Sequence, residues 1–549
     1  MVTGRRFGAW LCLAGLVVAA VRCGSGQSGA APAGSGGTGT AEGGPSSGGE
    51  TGTSGAGGRN PGSGGTSPGN VDASRPAGPP PVMGAPGCGF AAAAFCETFD
   101  GPGAVQGRAG ELDRKFWSGS RMHGQLSTTH PMAVGMAEIP TCRPGIPSAV
   151  WPEQDALVCD PTPDVQSSHL LVGVASQNYG QNSYRIRQPF DFSGRTGKVV
   201  FDAAVLPLAP LRAWISFAVT EDPMSVPGYS ILGNDEGSVI PRNAVEVHFV
   251  NAPGSTGDEM SLRNVHVFRD YVDTVYAPDE LPRVPYAEGK LNHYEFSVSE
   301  TGVDVAVTPW SEDGKAFDAP AFTYHVDAAL PFSRGYVVLS VHNHATIKYT
   351  HEGDGYPEVV DASLARIDNV AFDGPVVPAL REYEVPDSLA PFTDPMELGD
   401  PHNPDGKGYD IGWFLNDEKD GPKETLHVAG VDPSGAASAR LAFSAWMDGS
   451  NGSAVPGTFT FRARLNGGEW REHVLSAEES ALFTKNPTTL DPAGNPIGDP
   501  HTQGRLAILM DVPVSDLVAG DNTLELVTAN VPTSYPPLVC NVDLVLGTE

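Results

Sequence analysis

Ala244-Val245-Glu246-Val247-His248-Phe249 is the stretch that decides the fold class, because its apolar and polar residues alternate with period two. Leu339-Ser340-Val341-His342-Asn343-His344 repeats the pattern. Successive side chains of a strand point to opposite faces, so each stretch predicts a β-strand with one buried and one open face. The polar residues predicted on the open faces are Glu246, His248, His342 and His344. Carboxylate and imidazole groups gathered in this way are typical of sugar binding, metal binding or acid–base chemistry.

Short alternating runs recur between residues 95 and 374, separated by turns rich in Gly, Pro, Asn and Asp. No stretch there shows a long 3.6-residue period, so the pattern predicts an all-β sandwich or jelly roll. If one sheet curves outward, its polar face forms a groove in which sugar rings stack on Trp and hydroxyl groups bind Arg, His and Glu. The candidate ligand-binding residues for such a polysaccharide are Arg185, Arg187, Trp214, Glu246, His248, His266, His342 and His344.

A second β-rich region follows a Pro-rich, irregular segment and predicts a smaller β-sandwich at the C-terminus. The predicted organisation is a signal peptide at 1–22, a disordered tether at 23–87, a jelly-roll domain at 88–374, a connector at 375–405 and a C-terminal β-sandwich at 406–549.

The N-terminus carries Arg5 and Arg6, an apolar run from 7 to 21, and Cys23. The run is shorter than the roughly 20 apolar residues that span a bilayer, so it predicts a signal peptide. It resembles a bacterial lipoprotein signal, which implies that Cys23 becomes the lipidated first residue. Arg22 departs from that pattern, so secretion with complete removal of the leader stays an alternative.

The segment that follows the leader, up to about residue 86, is almost entirely Gly, Ser, Thr, Pro and Ala. It cannot bury enough apolar surface to fold, so it predicts a disordered tether. We therefore expect an exported protein on the cell-envelope surface that touches the membrane only through a lipid anchor, or a secreted one if Cys23 is not acylated.

The charge balance argues against a nucleic-acid partner. The chain has 65 Asp plus Glu against 34 Lys plus Arg, a net charge of −31. Charge of that sign repels phosphate backbones, and no basic cluster offsets it.

Five cysteines follow the leader and Cys23. In an exported protein, Cys88 with Cys96 and Cys142 with Cys159 are predicted disulfides that close short loops, which leaves Cys540 unpaired. A Cys-x-x-Cys pair is absent from the sequence, so we predict neither structural zinc nor thioredoxin-like redox chemistry.

Three motifs make the first domain resemble the concanavalin A-like lectin/glucanase superfamily of jelly rolls. They are Phe95-Cys96-Glu97-Thr98-Phe99-Asp100, Asn243-Ala244-Val245-Glu246-Val247-His248-Phe249 and Ile367-Asp368-Asn369-Val370-Ala371-Phe372-Asp373. The superfamily contains both binding modules and enzymes, so the fold alone decides no function.

The laminarinase-like hydrolases of this superfamily carry two catalytic Glu residues on a strand of the type Asn-Glu-Ile-Asp-Ile-Glu-Phe. The similar positions here are Ala244 for the nucleophile, Glu246 for the middle acid and His248 for the acid/base. Retaining hydrolysis needs two carboxyl groups about 5 Å apart, and Ala244 cannot supply one. The resemblance therefore speaks against a retaining glycoside hydrolase at this strand.

The alginate-lyase-like jelly rolls offer the alternative of β-elimination. Their motifs resemble Ser183-Tyr184-Arg185-Ile186-Arg187, Glu246-Val247-His248 and Val341-His342-Asn343-His344. The resemblance implies His248 or His342 as the base and Arg187 as the group that binds the substrate carboxylate. Glu246 stands where these enzymes have Gln, and an ionised Glu would repel a uronate.

Glycan binding without catalysis is the favoured prediction, with the lyase second and a metal site or a purely structural face behind both. The protein is thus expected to be no enzyme, and a polysaccharide lyase rather than a retaining glycoside hydrolase if it is one. No cofactor is required, although the superfamily's structural calcium implies Asp100 and Asp368 as candidate ligands. The C-terminal region resembles the small accessory carbohydrate-binding β-sandwiches of glycan-active proteins.

Overall fold

β-Strands make up nearly all the regular structure of the computed structural model. It describes residues 77–103, 109–122, 154–159, 167–175, 181–207, 213–223, 239–251, 259–278, 282–285, 291–310, 319–343, 362–385, 413–422, 425–446, 458–484, 489–490, 496–497, 505–530 and 537–548. The predicted signal peptide and most of the predicted tether lie outside these residues.

The strands up to residue 374 belong chiefly to a first β-sandwich. In chain order they are β1 (Ala85–Gly87), β2 (Phe90–Glu97), β3 (Trp117–Met122), β4 (Gln154–Cys159), β5 (His169–Ala175), β6 (Gln181–Ile186), β7 (Phe190–Asp191), β8 (Gly197–Pro207), β9 (Ala213–Thr220), β10 (Val239–Ile240), β11 (Ala244–Asn251), β12 (Glu259–Arg269), β13 (Val272–Tyr276), β14 (Arg283–Pro285), β15 (Asn292–Ser299), β16 (Gly302–Thr308), β17 (Phe322–Asp327), β18 (Arg334–Asn343) and β19 (Ala362–Asp373).

Two antiparallel sheets form this sandwich. One runs β1-β2-β19-β8-β15-β16-β17, with β5 beside β19 and β4 beside β5. The other runs β13-β12-β11-β9-β18-β6-β3, with β14 beside β12 and β7 beside β18. Strands distant in sequence are neighbours in both sheets, as expected for a jelly roll rather than a chain of hairpins.

The inner faces of the two sheets enclose an aromatic-rich core. Phe201 of one sheet stacks on Phe217 of the other, and Tyr294 stacks on Phe201 in turn. Val245, Val247 and Phe249 of β11 all belong to this core. The alternation along β11 is therefore confirmed: its odd-numbered residues face inward, which turns Glu246 and His248 to the other face.

A second, smaller β-sandwich follows. Its elements are β20 (Arg381–Glu384), β21 (Trp413–Phe414), β22 (Leu426–Val431), β23 (Ser438–Trp446), β24 (Thr460–Leu465), β25 (Arg471–Val474), α1 (Ala477–Thr484), β26 (Thr489–Leu490), β27 (Pro496–Ile497), β28 (Arg505–Val512), β29 (Gly520–Ala529) and β30 (Leu538–Gly547). One sheet runs β10-β28-β23-β30-β20 with β21 beside β30, and the other runs β22-β29-β24-β25. The predicted all-β fold class with two successive sandwiches is confirmed.

The two sandwiches are interleaved along the chain. Strand β10 comes between β9 and β11 of the first sandwich, yet it pairs in parallel with β28 of the second. Strand β20 lies inside the segment predicted as a connector, and it pairs with β30. Each sandwich has its own apolar core, and both sandwiches belong to one compact unit of the chain.

The predicted disulfide between Cys88 and Cys96 is present, where it ties the loop before β2 to the end of that strand. Cys159 is also disulfide-bonded. Its predicted partner, Cys142, lies outside the described residues. Within those residues, no helix is long and apolar enough to span a membrane.

Candidate functional site

The outer face of the second sheet of the first sandwich carries a row of polar residues in register. His248 pairs with Ser216, Ser216 with Ser340, Ser340 with Ser183, and Ser183 with Ser120. The neighbouring row contains Glu246, which pairs with His266, and farther along it Arg185. We call this set the polar face, and its members are Ser120, Ser183, Arg185, Ser216, Glu246, His248, His266 and Ser340.

The polar face is not open, which corrects the prediction from the alternating pattern. Glu246, His248 and Arg185 are 0% exposed, His266 is 1% exposed and Arg187 is 4% exposed. Alternation shows which residues share a face of a strand, but whether that face meets solvent or protein depends on what packs over it.

Glu246, His248, His266 and Asp273 form a connected group at the centre of the polar face. Glu246 Oε1 lies 3.1 Å from His248 Nε2. The rings of His248 and His266 are 5.1 Å apart between centroids. His266 Nδ1 lies 2.8 Å from Asp273 Oδ2, so a carboxylate orients the second imidazole.

Burial sets the protonation states at this group. It raises the pKa of Glu246 to about 8, against the smaller opposing effects of His266 and a hydrogen bond with Ser216. Burial also lowers the pKa of His248 well below its usual value, and the neighbouring His266 lowers it further. At neutral pH a protonated carboxyl group therefore faces a neutral imidazole, and Glu246 can donate a proton or a hydrogen bond.

Arg185 and Arg187 do not join the histidines, contrary to the predicted groove. The guanidinium of Arg185 donates to the carboxylate of Glu382, which also accepts from Ser118 Oγ. Arg187 donates to the backbone oxygen of Glu382 at 3.1 Å. Glu382 belongs to β20, so both arginines bind the second sandwich. Arg187 is therefore not placed to bind a substrate carboxylate beside His248.

The other predicted ligand residues are only partly described. The backbones of His342 and Trp214 pair across β18 and β9, two residues beyond the pair of Ser340 and Ser216. Their side chains, and His344 as a whole, lie outside the described part of the chain.

Of the candidate calcium ligands, Asp368 lies on β19 of the first sheet and Asp100 lies in the loop that follows β2. Asp100 Oδ2 accepts a hydrogen bond from Thr98 Oγ1, and Asp368 accepts from Ser167 Oγ and from the backbone of Asn369. Burial raises the pKa of Asp368 to about 7, with smaller effects from Asp202 and Asp100. Within the described residues, no group of three or more metal-binding side chains could hold an ion, so calcium stays a prediction.

Sequence reasoning missed Asp273, the serine row and Glu382. The position of Asp273 could have been predicted from the sequence. The short turn between two alternating runs places it opposite Phe268 and near His266. That the serines lie in one row across the sheet could not be predicted, because it depends on the strand order β11-β9-β18-β6-β3. Glu382 lies 197 residues from Arg185 along the chain, and no local pattern indicates their pairing.

Comparison with known proteins finds similar chains only among solved structures. No family model and no curated protein matches the chain. Similar solved structures include LamA of Zobellia galactanivorans in complex with laminaritriose and laminaritetraose, at 14% identity and a TM-score of 0.28 over 51% of this chain and 97% of that one. The first sandwich is a two-sheet jelly roll by its own strand order.

Two further structures resemble the chain to a similar degree. A glycoside hydrolase family 16 endo-glucanase from Bacteroides ovatus has 11% identity and a TM-score of 0.28, covering 51% of this chain and 99% of that one. The carbohydrate-binding module CBM66 from Bacillus subtilis has 9% identity and a TM-score of 0.21, covering 39% and 89%.

The comparisons also correct a prediction. From the sequence we expected no enzyme, and a lyase rather than a retaining glycoside hydrolase if the protein were one. One of the similar structures named above is a glycoside hydrolase family 16 endo-glucanase, so the prediction that ranked a lyase above a glycoside hydrolase was wrong.

Proposed function

We propose that this is an exported protein whose jelly-roll domain recognises an extracellular or cell-envelope polysaccharide. The observation that carries the proposal is the polar face, on which hydroxyl, imidazole and carboxyl groups line up across five adjacent strands. These groups donate and accept hydrogen bonds of the kind that sugar hydroxyls exchange.

The composition of the polar face away from Arg185 supports a role in ligand binding. Burying polar groups, even hydrogen-bonded ones, stabilises packing against protein less than burying apolar residues at the same positions would. A buried carboxyl group with a pKa near 8 is also typical of a functional site. Because Glu246 and His248 have no exposed surface, recognition through them requires the polar face to open to the glycan.

The proposed location rests on the sequence. Arg5, Arg6, the apolar run and Cys23 support export and acylation, with the Gly/Ser-rich segment as a tether. Mass spectrometry of the mature N-terminus tests this. A diacylglyceryl-modified Cys23 is expected, and cleavage at another residue would contradict the anchor.

The binding experiment uses the purified mature protein and a panel of laminarin, mixed-linkage glucan, alginate and pectin. We expect at least one polysaccharide to bind saturably in calorimetry, and Glu246→Gln or His248→Ala to weaken that binding. His325→Ala is the matched control, since His325 is an exposed histidine of β17 on the other sheet. Failure of every polysaccharide to bind would overturn the proposal, as would equal effects of the control.

A second candidate function is glycoside hydrolysis, favoured by the protonated state of Glu246. A carboxyl group whose pKa lies above 7 suits the general acid that protonates a leaving glycosidic oxygen. Ala244 leaves the nucleophile position of the same strand without a carboxyl group, so the second acid would come from elsewhere in the chain. Reducing ends released from the bound polysaccharide, and lost in Glu246→Gln, would establish this activity.

A further inference from the structure

A polar cavity of about 220 Å³ lies between the two sandwiches. Thr220, Asp222 and Asn243 of the first sandwich line it, and Arg440 and Asp511 of the second line the opposite side. Thr220 ends β9 and Asn243 precedes β11, so the cavity lies at one end of the strands that carry the polar face. Asn243 is three residues from Glu246, or about 10 Å along an extended strand.

Some side chains in the cavity wall already make hydrogen bonds within the protein, and these bonds fix their positions. Tyr271 donates its hydroxyl to Glu479, at 3.1 Å between the oxygens. Glu479 also accepts from the backbone of Ser476, whose hydroxyl in turn accepts from the Glu479 backbone, in a reciprocal cap of α1. Asn243 donates to Glu221 and accepts from the backbone of Asp270. These contacts fix the wall from both sandwiches.

Four more charged side chains line the cavity, and one of them, Arg242, also donates to Asp270 at 3.4 Å. Arg440 NH1 lies 4.0 Å from Asp222 Oδ1, which is an ion pair but too long for a hydrogen bond. Arg440 also lies directly across the strand pair from Asp511. Arg242, on the first sandwich, adds a second guanidinium that acts electrostatically on Asp222. Arg242 and Asp511 are exposed, so the cavity is reachable from solvent.

The charged groups of both signs select the class of ligand. The carboxylates of Asp222, Asp511 and Glu479 and the guanidiniums of Arg242 and Arg440 line the cavity together, so an anion would meet carboxylates while a cation would meet guanidiniums. A neutral molecule with several hydroxyl groups can accept from the guanidiniums and donate to the carboxylates at once. The volume is below the several hundred Å³ of sites for larger ligands, which limits the occupant to about one ring.

We propose that this inter-sandwich cavity binds one neutral sugar ring, the end unit of the glycan recognised by the jelly-roll domain. The choice of a sugar rests on the proposed function, and the position at the end of β9 and β11 supplies the link to the polar face. Arg440 and Asp222 are the residues that bind the ring hydroxyls, one from each sandwich.

The experiment titrates the full mature protein with D-glucose, D-galactose, D-mannose and N-acetylglucosamine, followed by ligand-observed NMR and calorimetry. D-Glucuronate and D-glucosamine are the charged counterparts. We expect at least one neutral sugar to bind saturably, and each charged counterpart to bind more weakly than it. Arg440→Gln and Asp222→Asn should each weaken the binding about tenfold, the effect of losing one charge-assisted hydrogen bond.

Arg464→Gln is the matched control, because Arg464 has nearly the same exposure as Arg440 but pairs with Glu525 away from the cavity. Arg440→Lys keeps the positive charge but removes the planar set of guanidinium donors, so its binding can be measured if Arg440→Gln fails to fold. It should also weaken sugar binding. Absence of saturable binding by any neutral sugar, tighter binding of a charged counterpart, or an unchanged affinity in folded Arg440 and Asp222 variants would each overturn the proposal, leaving a cavity filled by water only.

Polysaccharide binding separates this inference from the function on which it rests. If Glu246→Gln abolishes polysaccharide binding while the monosaccharide still binds, both proposals hold at separate subsites. If no polysaccharide binds but a monosaccharide does, and Arg440→Gln weakens it, the proposed function falls and the cavity still binds a sugar. If polysaccharide binds but no monosaccharide does, the cavity proposal alone is overturned.

Discussion

Glu246 shows how strongly one buried position can change the chemistry of a side chain. Its carboxyl group is fully buried beside His248 and Ser216, and burial raises its pKa from 4.5 to about 8. An ionised Glu246 would repel an anionic glycan, whereas the protonated form can donate to a sugar oxygen. The protonation state of Glu246 is therefore set by its burial in the polar face and not by the residue type alone.

The stability of the protein should depend on pH through Glu246. The folded protein keeps this proton up to about pH 8, while the unfolded chain releases it near 4.5, so between these values the folded state binds more protons. The contribution of Glu246 is therefore greatest below pH 4.5 and is lost as pH rises towards 8, with a slope of at most about 1.4 kcal/mol per pH unit. Glu246→Gln should remove that slope, as measured by urea unfolding at pH 5, 6.5 and 8.

Glu295→Gln serves as the control, because Glu295 is partly exposed on β15 and paired with Lys198. It should leave the pH dependence of wild type intact. A wild-type protein and a Glu246→Gln variant with the same pH dependence would show that Glu246 is ionised in the folded state at neutral pH.

At the scale of elements, the turn between β12 and β13 carries the contact of the first sandwich with α1. Arg269 pairs with Val272, so the turn consists of Asp270 and Tyr271 alone, with φ values of 44° and 66°. Left-handed backbone is unfavourable for a bulky residue such as Tyr271. Its ring packs against the core of the second sandwich, and its hydroxyl donates to Glu479, which offsets the strain.

Tyr271→Phe should lower the free energy of unfolding by about 1 kcal/mol, since it removes one hydrogen bond and keeps the ring. Urea unfolding monitored by fluorescence measures the change. Tyr276→Phe, at a partly buried tyrosine of β13, is the control and should have a smaller effect. A Tyr271→Phe variant as stable as wild type would show that the bond to Glu479 contributes nothing net.

The disulfide between Cys88 and Cys96 acts locally, because it ties the turn before β2 to the far end of that strand. It closes a short loop, and the chain-entropy estimate for such a loop is about 2 to 3 kcal/mol. Replacing both cysteines by Ser should lower stability by that amount in thermal unfolding. Each single replacement should lower it nearly as much, because either one breaks the same bond, and additive single effects would contradict this explanation.

At the scale of the whole molecule, Glu382 joins the two sandwiches. Its carboxylate accepts from Arg185 and Ser118 of the first sandwich, while its own strand β20 pairs with β30 of the second. The guanidinium of Arg185 is fully buried, and its ion pair with Glu382 offsets the free-energy cost of removing this charge from water.

Glu382→Ala should destabilise the protein by about 3 to 5 kcal/mol, because it leaves a buried guanidinium without its carboxylate. Glu295→Ala, which breaks the partly exposed pair with Lys198, should cost about 1 kcal/mol or less. Differential scanning calorimetry compares the two variants. A loss in Glu382→Ala no larger than in the control would mean that water enters and solvates Arg185.

Local patterns in the sequence were enough for the fold class and for the two faces of β11. Val245, Val247 and Phe249 lie in the core as their spacing predicts, because the period of a strand is set by backbone geometry that every sequence obeys. The Cys88–Cys96 disulfide was also predictable, since it joins residues eight positions apart.

Contacts between distant parts of the chain could not be predicted from those local patterns. Arg185 was predicted to line an open groove, but it meets Glu382 of β20, and the strand β10 leaves the first sandwich to join the second. Such pairings depend on the order of strands in each sheet and on the docking of one sandwich against another. No local spacing encodes either.

The sequence by itself therefore determined an all-β chain of two sandwiches and the composition of one polar strand face. Only the tertiary structure decided that this face is buried, that Glu246 holds its proton at neutral pH, and that Arg440 meets Asp222 across a cavity. The physical reason is that alternation follows from the backbone, whereas burial, pKa and charge pairing follow from what the rest of the chain packs against each face.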